Sequence, residues 1–355
     1  MPPLNEASSI AALLLNKCTS INLISKARQL HALILTSIPA TFKSPYVFNN
    51  ILSMYVRCGS IQNSHILFDK MPERNIVSFN ALISAYCRYH HLAHWAFHLF
   101  AELQSESLRP NGLTFTSLLQ VCGGIKNQVL GSMLHSQCIK FGFLYDVCVQ
   151  TSILGMYSNC GVLGCAEKVF CSMHDKDSVA WNTLFFGYLE NGKTMEGLRL
   201  FGTMLRTGVV PTNFTYTTLL SACRRLRDHL APKLTHSKVI VSGIVPDLPL
   251  CNALLDMYSS CGDNETALKI FRKIKKPDLV SWNSMISGYA VNGDGEMAMR
   301  IFIQFGQSNR FTPDEYTFAA VISAIGAFPG LIMGNHSIAK LRRWGSVQVY
   351  LLQAH

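Results

Sequence analysis

The hexapeptide pattern Met-Tyr-x-x-Cys-Gly occurs three times on an almost fixed beat, at Met54 to Gly59, Met156 to Gly161 and Met257 to Gly262. Cys58 and Cys160 are 102 residues apart, and Cys160 and Cys261 are 101 apart. A second phrase keeps the same time: Val77-Ser78-Phe79-Asn80, Val179-Ala180-Trp181-Asn182 and Val280-Ser281-Trp282-Asn283. A period of this kind specifies a stack of similar units, each burying its apolar face only against its neighbours. Function is localised by the same logic, because equivalent residues of successive units line one surface.

The long beat divides into shorter hairpins. In 178–212, Trp181, Leu184 and Tyr188 follow the three-and-four spacing of one helix. Asn191-Gly192 supplies a turn, and Met195, Leu198, Phe201, Met204 and Leu205 form the stripe of a second helix. Gly208 stops that helix and Pro211 prevents its continuation. This unit has 35 residues, the next (213–247) also 35, and the third (248–278) has 31. Together they make the 101-residue beat. The approximate units are 8–44, 45–75, 76–111, 112–146, 147–177, 178–212, 213–247, 248–278, 279–314 and 315–330 onward. The expected fold is all-α: antiparallel helix-turn-helix repeats stacked into an α-solenoid, a right-handed superhelix in proteins of this type. Residues 1–7 are expected to form an N-terminal tail.

Composition fits a folded chain. Of its 355 residues, 49% are apolar and only 15% charged, which excludes disorder by charge. Lys plus Arg exceed Asp plus Glu by 31 to 21, a net charge of +10 that suits a polyanionic partner. The twelve cysteines do not suggest a disulfide framework. Cys58, Cys160 and Cys261 share one repeat position, and Cys18, Cys122 and Cys223 share another, so equivalent thiols are far apart. They are expected to be small buried side chains in a reducing compartment. No apolar run reaches membrane-spanning length, since Ser323 and Pro329 interrupt the best candidate, Phe318 to Met333. Neither a signal-peptide pattern nor an Arg-rich leader is evident before Arg28.

The Trp-x-x-Leu-Gly-x-x-Tyr pattern of tetratricopeptide repeats is missing. The phrases present resemble pentatricopeptide repeats, specifically the plant PLS subclass with its P, L and S motifs of different length. Val280 to Tyr289 (Val-Ser-Trp-Asn-Ser-Met-Ile-Ser-Gly-Tyr) resembles the opening of a P motif. Asn252 to Tyr258 (Asn-Ala-Leu-Leu-Asp-Met-Tyr) with Cys261-Gly262 resembles an S motif. Phe214 to Cys223 resembles an L motif, and Leu67 to Arg74 resembles an S-to-P junction. The resemblance runs from about Ser8 to about Pro329.

It implies a sequence-specific single-stranded RNA-binding protein that reads about one base per repeat by two or three side chains. In the family, the fifth residue of the first helix and the last residue of the repeat read the base. The matching pairs are Asn49 with Asn75, Asn80 with Asn111, Thr151 with Asp177, Asn182 with Thr212, Asn252 with Asp278, and Asn283 with Asp314. Each is short and polar within strongly apolar surroundings. By the family's rules, Asn with Asp resembles a uracil reader, and Asn with Asn a pyrimidine reader that prefers cytosine. Thr with Asp resembles a guanine reader, and Asn with Thr a looser pyrimidine reader. The L-like pairs, Thr116 with Asp146 and Thr217 with Asp247, are left nearly unread. From the RNA 5′ end, the expected register is Y-Y-n-G-Y-n-U-U. The second residue of the first helix packs on base faces in the family, which assigns that role to Tyr46, Val77, Cys148, Val179, Pro249 and Val280. The competing explanation for any single Asn or Thr is a helix N-cap, which these residues favour anyway.

Basic residues gather at Arg224, Arg225, Arg227, Lys233 and Lys238, and again at Arg272-Lys273-Ile274-Lys275-Lys276. Solvated helix faces explain both better than specific phosphate contacts. Catalysis is not expected. The deaminase-like domain that ends many PLS proteins needs His-x-Glu and Cys-x-x-Cys to hold zinc and move a proton, and neither motif occurs. His31, His135 and His236 recur at one repeat position, so they are expected to pack rather than bind metal. No phosphate loop or nucleophile elbow is present, and no cofactor, metal, small-molecule substrate or membrane partner is expected. The expected partner is an organellar transcript, in a mitochondrion or chloroplast, for editing, splicing or stability. A deaminase or other editing factor acting in trans stays open as a second partner. Two alternatives stay open as well: a protein-binding solenoid scaffold and a non-functional truncated member. From about Leu331 to His355 the pattern fades, and the segment is expected to be degenerate or truncated.

Overall fold

The computed structural model describes residues 23–37, 45–225, 231–308 and 310–326. The N-terminal tail, much of the first repeat, Cys18, Arg227 and the segment 331–355 lie outside the described residues. Among the described residues there are 18 α-helices, two short 3-10 turns and no strand. The chain divides into two compact units, Met1–Lys193 and Thr194–His355.

The first unit contains α1 (Ile24–Ser37), α2 (Pro45–Arg57), α3 (Ile61–Asp69), α4 (Ile76–Cys87), α5 (Ala93–Ser105), α6 (Gly112–Gly124), α7 (Gln128–Lys140), α8 (Val147–Asn159), α9 (Leu163–Ser172) and α10 (Ser178–Glu190). The second contains α11 (Thr194–Arg206), α12 (Asn213–Arg225), α13 (Ala231–Val241), α14 (Leu248–Ser260), α15 (Asn264–Lys273), α16 (Leu279–Val291), α17 (Gly295–Ser308) and α18 (Glu315–Gly326). The even-numbered helices from α2 to α10 are the first helices of their hairpins and pack one on the next, as do α12, α14, α16 and α18 in the second unit. α2, α4, α6, α8, α12, α14 and α16 also pack on their hairpin partners. Both units are therefore α-solenoid stacks of helical hairpins.

The opening signature ends the first helix of each short repeat. Cys58, Cys160 and Cys261 follow α2, α8 and α14, and Gly59, Gly161 and Gly262 take φ of +72°, +79° and +77°. Glycine is required there because a Cβ penalises the left-handed region. The N–H after each glycine (Ser60, Val162, Asp263) donates back to the carbonyl of Tyr55, Tyr157 and Tyr258, which satisfies the last turn. Cys122 and Cys223 are buried as expected, whereas Cys58, Cys160 and Cys261 are only half-buried because they sit at this helix end.

The signature tyrosine explains the recurring histidine. His31, His135 and His236 meet the hydroxyls of Tyr55, Tyr157 and Tyr258 through Nδ1 at 2.9, 3.1 and 2.7 Å, ring edge to face. Burial lowers the pKa of all three histidines below the ordinary 6.5, helped at His236 by the nearby Lys273 charge. A depressed folded-state pKa means the unfolded chain takes up these protons first. The histidine contribution to stability is thus present above pH 6.5 and lost as the pH falls below it. Melting temperature should drop between pH 7.5 and 5.5, and His135→Gln should flatten that drop. An unchanged pH slope in the variant would assign the effect elsewhere.

Close approach between first helices uses small residues on the same beat. A Cβ at Gly187 would lie 2.6 Å from Ser158 Cβ, and one at Gly288 would lie 2.5 Å from Ser259 Cβ. The second sequence phrase also finds its cause. Phe68 and Phe79, Phe170 and Trp181, and Phe271 and Trp282 form edge-to-face pairs, each with ring centroids 4.8 Å apart. In each pair one ring comes from a hairpin's second helix and the other from the first helix of the next.

Candidate nucleic-acid interface

The repeat-end residues are helix N-caps. The Oδ1 atoms of Asn75, Asn111, Asp146, Asp177, Asp247 and Asp278 accept the N3 backbone N–H of α4, α6, α8, α10, α14 and α16. Asp314 does the same for Thr317 N. Each satisfies an orphan donor of the first turn and fixes where the next first helix begins.

Capping does not exclude pairing with the fifth residue of the preceding first helix. Asn80 Nδ2 donates to Asn111 Oδ1 at 2.9 Å, Asn252 Nδ2 to Asp278 Oδ1 at 3.1 Å, and Asn283 Nδ2 to Asp314 Oδ1 at 3.0 Å. Asn49 Nδ2 reaches Asn75 Oδ1 at a longer 3.3 Å. In Asn75, Asn111, Asp278 and Asp314, one oxygen is thus both cap and partner. The amide orientation of Asn75 and Asn111 follows: with Oδ1 bound to backbone N–H groups, Nδ2 must point away from the helix.

A third group completes three of these pairs. Thr114 Oγ1 donates to Asn80 Oδ1 at 2.7 Å, Ser281 Oγ to Asn252 Oδ1 at 2.6 Å, and Thr317 Oγ1 to Asn283 Oδ1 at 2.7 Å. At Asn49 the Ser78 hydroxyl turns instead to Asn75 O, and Asn49 Oδ1 is buried without a partner. The acids are tuned by this network. Burial pushes the Asp278 carboxyl up, but hydrogen bonds from Ser281 and Asn252 outweigh it and hold the pKa below the ordinary 3.8. The same balance at Asp314, with Thr317 and Asn283 donating, also lowers it. Both are anions at neutral pH.

Thr151 and the L-like threonines depart from this arrangement. No hydrogen bond joins Thr151 to Asp177, which caps α10 alone. Asn182 is buried on α10 of the first unit, and Thr212 lies before α12 of the second, where it bonds Thr215. In the L-like repeats, Thr116 and Thr217 donate back to the carbonyls of Leu113 and Asn213 within their own helices. Those hydroxyl protons are spent within their own helices.

All six expected base-packing residues, Tyr46, Val77, Cys148, Val179, Pro249 and Val280, are exposed, each as the second residue of its helix. The pattern extends to positions that sequence reasoning missed: Leu113, Phe214 and Tyr316 hold the same place on α6, α12 and α18 and are 57%, 53% and 70% exposed. An apolar residue at the second position of α2 and of every later first helix stays in solvent while the third and fourth positions turn inward. The signal was available, because these L-like residues stand one before Thr114, Thr215 and Thr317 as Val77 and Val280 stand before Ser78 and Ser281. Between α4 and α6 the surface forms a groove of about 430 Å³. Val77 and Leu113 flank it, Asn80 and Asn111 line it, and Arg57 and Arg88 stand at its rim.

The basic clusters are partly spent on the protein itself. Arg224 pairs with Asp256 at 2.7 Å, an exposed bridge worth little to stability. Lys238 lies 5.9 Å over the Phe201 ring. Among the described residues no group of His, Cys, Asp and Glu is placed to hold a metal ion, and no helix is long and apolar enough to cross a membrane.

Comparison with known proteins places this architecture. Models of the PPR repeat family match residues 74–123, 176–225 and 277–326, a pentatricopeptide repeat domain model matches 237–278, and a PPR repeat model matches 46–76. The chain belongs to the pentatricopeptide repeat family. Its relatives include a chloroplastic pentatricopeptide repeat-containing protein of Arabidopsis thaliana, 35% identical over 81% of this chain and 33% of the relative. A mitochondrial one from the same plant is 34% identical over 74% of this chain and 41% of the relative. The chain therefore spans well under half the length of these relatives. The fold is shared with the pentatricopeptide repeat protein PPR10 in complex with an 18-nt psaJ RNA element (TM-score 0.61, 18% identity, 84% of this chain and 44% of that one). PPR10 from maize gives a TM-score of 0.59 at 18% identity, over 90% of this chain and 52% of that one.

Proposed function

We propose that the chain binds single-stranded RNA sequence-specifically, reading about one base per repeat with the fifth and last residues. The observation that carries this is the repeated slot: an exposed apolar residue on each side and, at Asn80, Asn252 and Asn283, a polar pair between them whose inner atoms are already satisfied. Apolar side chains left in water at one position of successive repeats fit stacked bases, which have apolar faces and polar edges.

The unspent atoms of each pair define the base. In Asn252–Asp278 and Asn283–Asp314, the asparagine retains one N–H and the aspartate retains Oδ2. A donor beside an acceptor complements the carbonyl and N3–H of uracil. In Asn49–Asn75 and Asn80–Asn111, the second Asn turns Nδ2 outward, so the slot offers two donors. These complement O2 and N3 of cytosine. At Thr151–Asp177 an ionised carboxylate suits the N1–H and N2–H₂ donors of guanine. The L-like threonines, bonded within their own helices, add little. The register Y-Y-n-G-Y-n-U-U follows, with the PLS subclass as its frame.

The net charge of +10 supports a polyanionic partner. The chloroplastic and mitochondrial relatives, and the RNA held by PPR10, support an organellar transcript as target. We place the chain in organellar RNA processing, acting by shielding RNA or by recruiting a deaminase or other editing factor in trans. The test is binding of an RNA carrying CCAGCAUU between adenosine flanks against its scrambled sequence. The matched RNA should bind at least about tenfold tighter, the value of one well-made hydrogen bond, and both affinities should fall steeply with salt. Equal, weak binding to both would overturn base reading and favour a protein-binding scaffold.

A further inference from the structure

We infer that base specificity at the Asn80, Asn252 and Asn283 slots is set by a third residue: the hydroxyl at the third position of the next repeat's first helix. The inference rests on the base-reading proposal above. An asparagine amide has two faces of opposite polarity and nearly equal shape, so its orientation must be imposed by its partners. At Asn80, Asn252 and Asn283, a Thr114, Ser281 or Thr317 hydroxyl lies 2.6–2.7 Å from Oδ1 and shares its one proton between that oxygen and the cap's Oδ1, 3.1, 2.8 and 2.7 Å away. The cap accepts Nδ2–H on the other side. The two contacts together hold the second N–H toward the slot. Without the hydroxyl, Oδ1 loses its donor, as at Asn49, and the cap contact alone is left to orient the amide.

The sequence carries the same dependence across all eight repeat junctions. Where the fifth residue is Asn (49, 80, 182, 252 and 283), the third residue of the next first helix is Ser78, Thr114, Thr215, Ser281 or Thr317. Where the fifth residue is Thr (116, 151 and 217), that residue is Val149, Ala180 or Leu250. A threonine has no amide to orient and needs no such donor. Helix capping does not explain the split, although Asn75, Asn111 and Asp278 do form reciprocal caps with Ser78, Thr114 and Ser281. Asp146, Asp177 and Asp247 cap α8, α10 and α14 with an apolar residue at the same position. The hydroxyl follows the asparagine and not the cap. Thr317, Ser281 and Thr114 are therefore positioning residues that act on the base through Asn283, Asn252 and Asn80.

The experiment uses the full chain and the RNA described above, with its last base varied through U, C, A and G. Wild type should prefer U over C there by about tenfold, one hydrogen bond's worth. Thr317→Val, of nearly the same shape, should reduce this to within about twofold, while Thr317→Ser restores it. Guanine preference at the Thr151–Asp177 position should not move. Ser281→Ala should have the same effect at the penultimate base and provides the measurement if Thr317→Val does not fold. Retained U preference in Thr317→Val and in Ser281→Ala would overturn the third determinant and leave the two-residue register standing. Loss of preference in the serine variant as well would mean that the site needs threonine's shape and not its hydroxyl, which also overturns it. A wild-type chain indifferent to the last base would overturn the register and this inference together.

Discussion

Asn283→Thr is expected to move the preferred base at the last read position from uracil to guanine. The change removes both amide N–H groups, so Asp314 loses its partner at 3.0 Å and the slot loses its donor. What remains is an ionised carboxylate, held below the ordinary aspartate pKa and still anchored by the Thr317 N–H. Its unspent Oδ2 then faces the base without a donor beside it, and guanine, with N1–H next to N2–H₂, is the base whose edge suits an acceptor-only slot. A hydrogen bond to a charged group contributes about 1.5–3 kcal/mol, so the swing in preference should exceed about tenfold. Competition among four RNAs differing at that base measures it directly. No change of preference would mean that this pair does not address a base. Asn283→Thr combined with Thr317→Val should select guanine more sharply than the single change, because it reproduces the apolar third position that follows Thr151 at Ala180.

Much of this architecture was legible because stacked repeats write each requirement several times. The left-handed glycines, the helix lengths and the Met-Tyr-x-x-Cys-Gly ruler are local consequences of backbone geometry. Counting back nine residues from Cys58, Cys160 and Cys261 reaches Asn49, Thr151 and Asn252, all fifth positions of their helices. The less legible part lies between repeats. Sequence reasoning set capping and base reading against each other at an asparagine such as Asn75, whereas one oxygen does the first and leaves the rest of the side chain for the second. It did not anticipate that Asn49, Asn80 and Asn182 are nearly buried, because a buried amide is tolerated only where contacts distant in sequence satisfy it. Thr114 and Thr317 looked like ordinary helix residues for the same reason: their partners are 34 residues away. His31, His135 and His236 recur because the signature tyrosine of the next repeat needs a hydrogen-bond partner.

Reading demands that successive slots keep their spacing, and this puts the base-facing residues at the mercy of the core beneath them. Phe79 is fully buried, one residue before Asn80, with its ring edge to face against Phe68 of the preceding hairpin. Arg74 covers the other side of that pair, 4.6 Å over the Phe68 ring, and is itself bridged to Glu102. Phe79→Ala is therefore expected to cost about 3–5 kcal/mol, the usual range for emptying a buried aromatic site. In a stack held only by neighbours, the loss should be local. Hydrogen exchange should rise in α3, α4 and α5 before it rises in α12 to α16, and the Asn80 slot should lose base preference while the Asn283 slot keeps it. Phe79→Trp should be tolerated at under about 1.5 kcal/mol, since the equivalent site at Trp181 holds that larger ring at the same 4.8 Å from its phenylalanine. Chemical denaturation of the three proteins decides the matter. A loss under about 1 kcal/mol in Phe79→Ala would show that the edge-to-face pair is not what joins one repeat to the next, because a buried aromatic so removed should cost several times more.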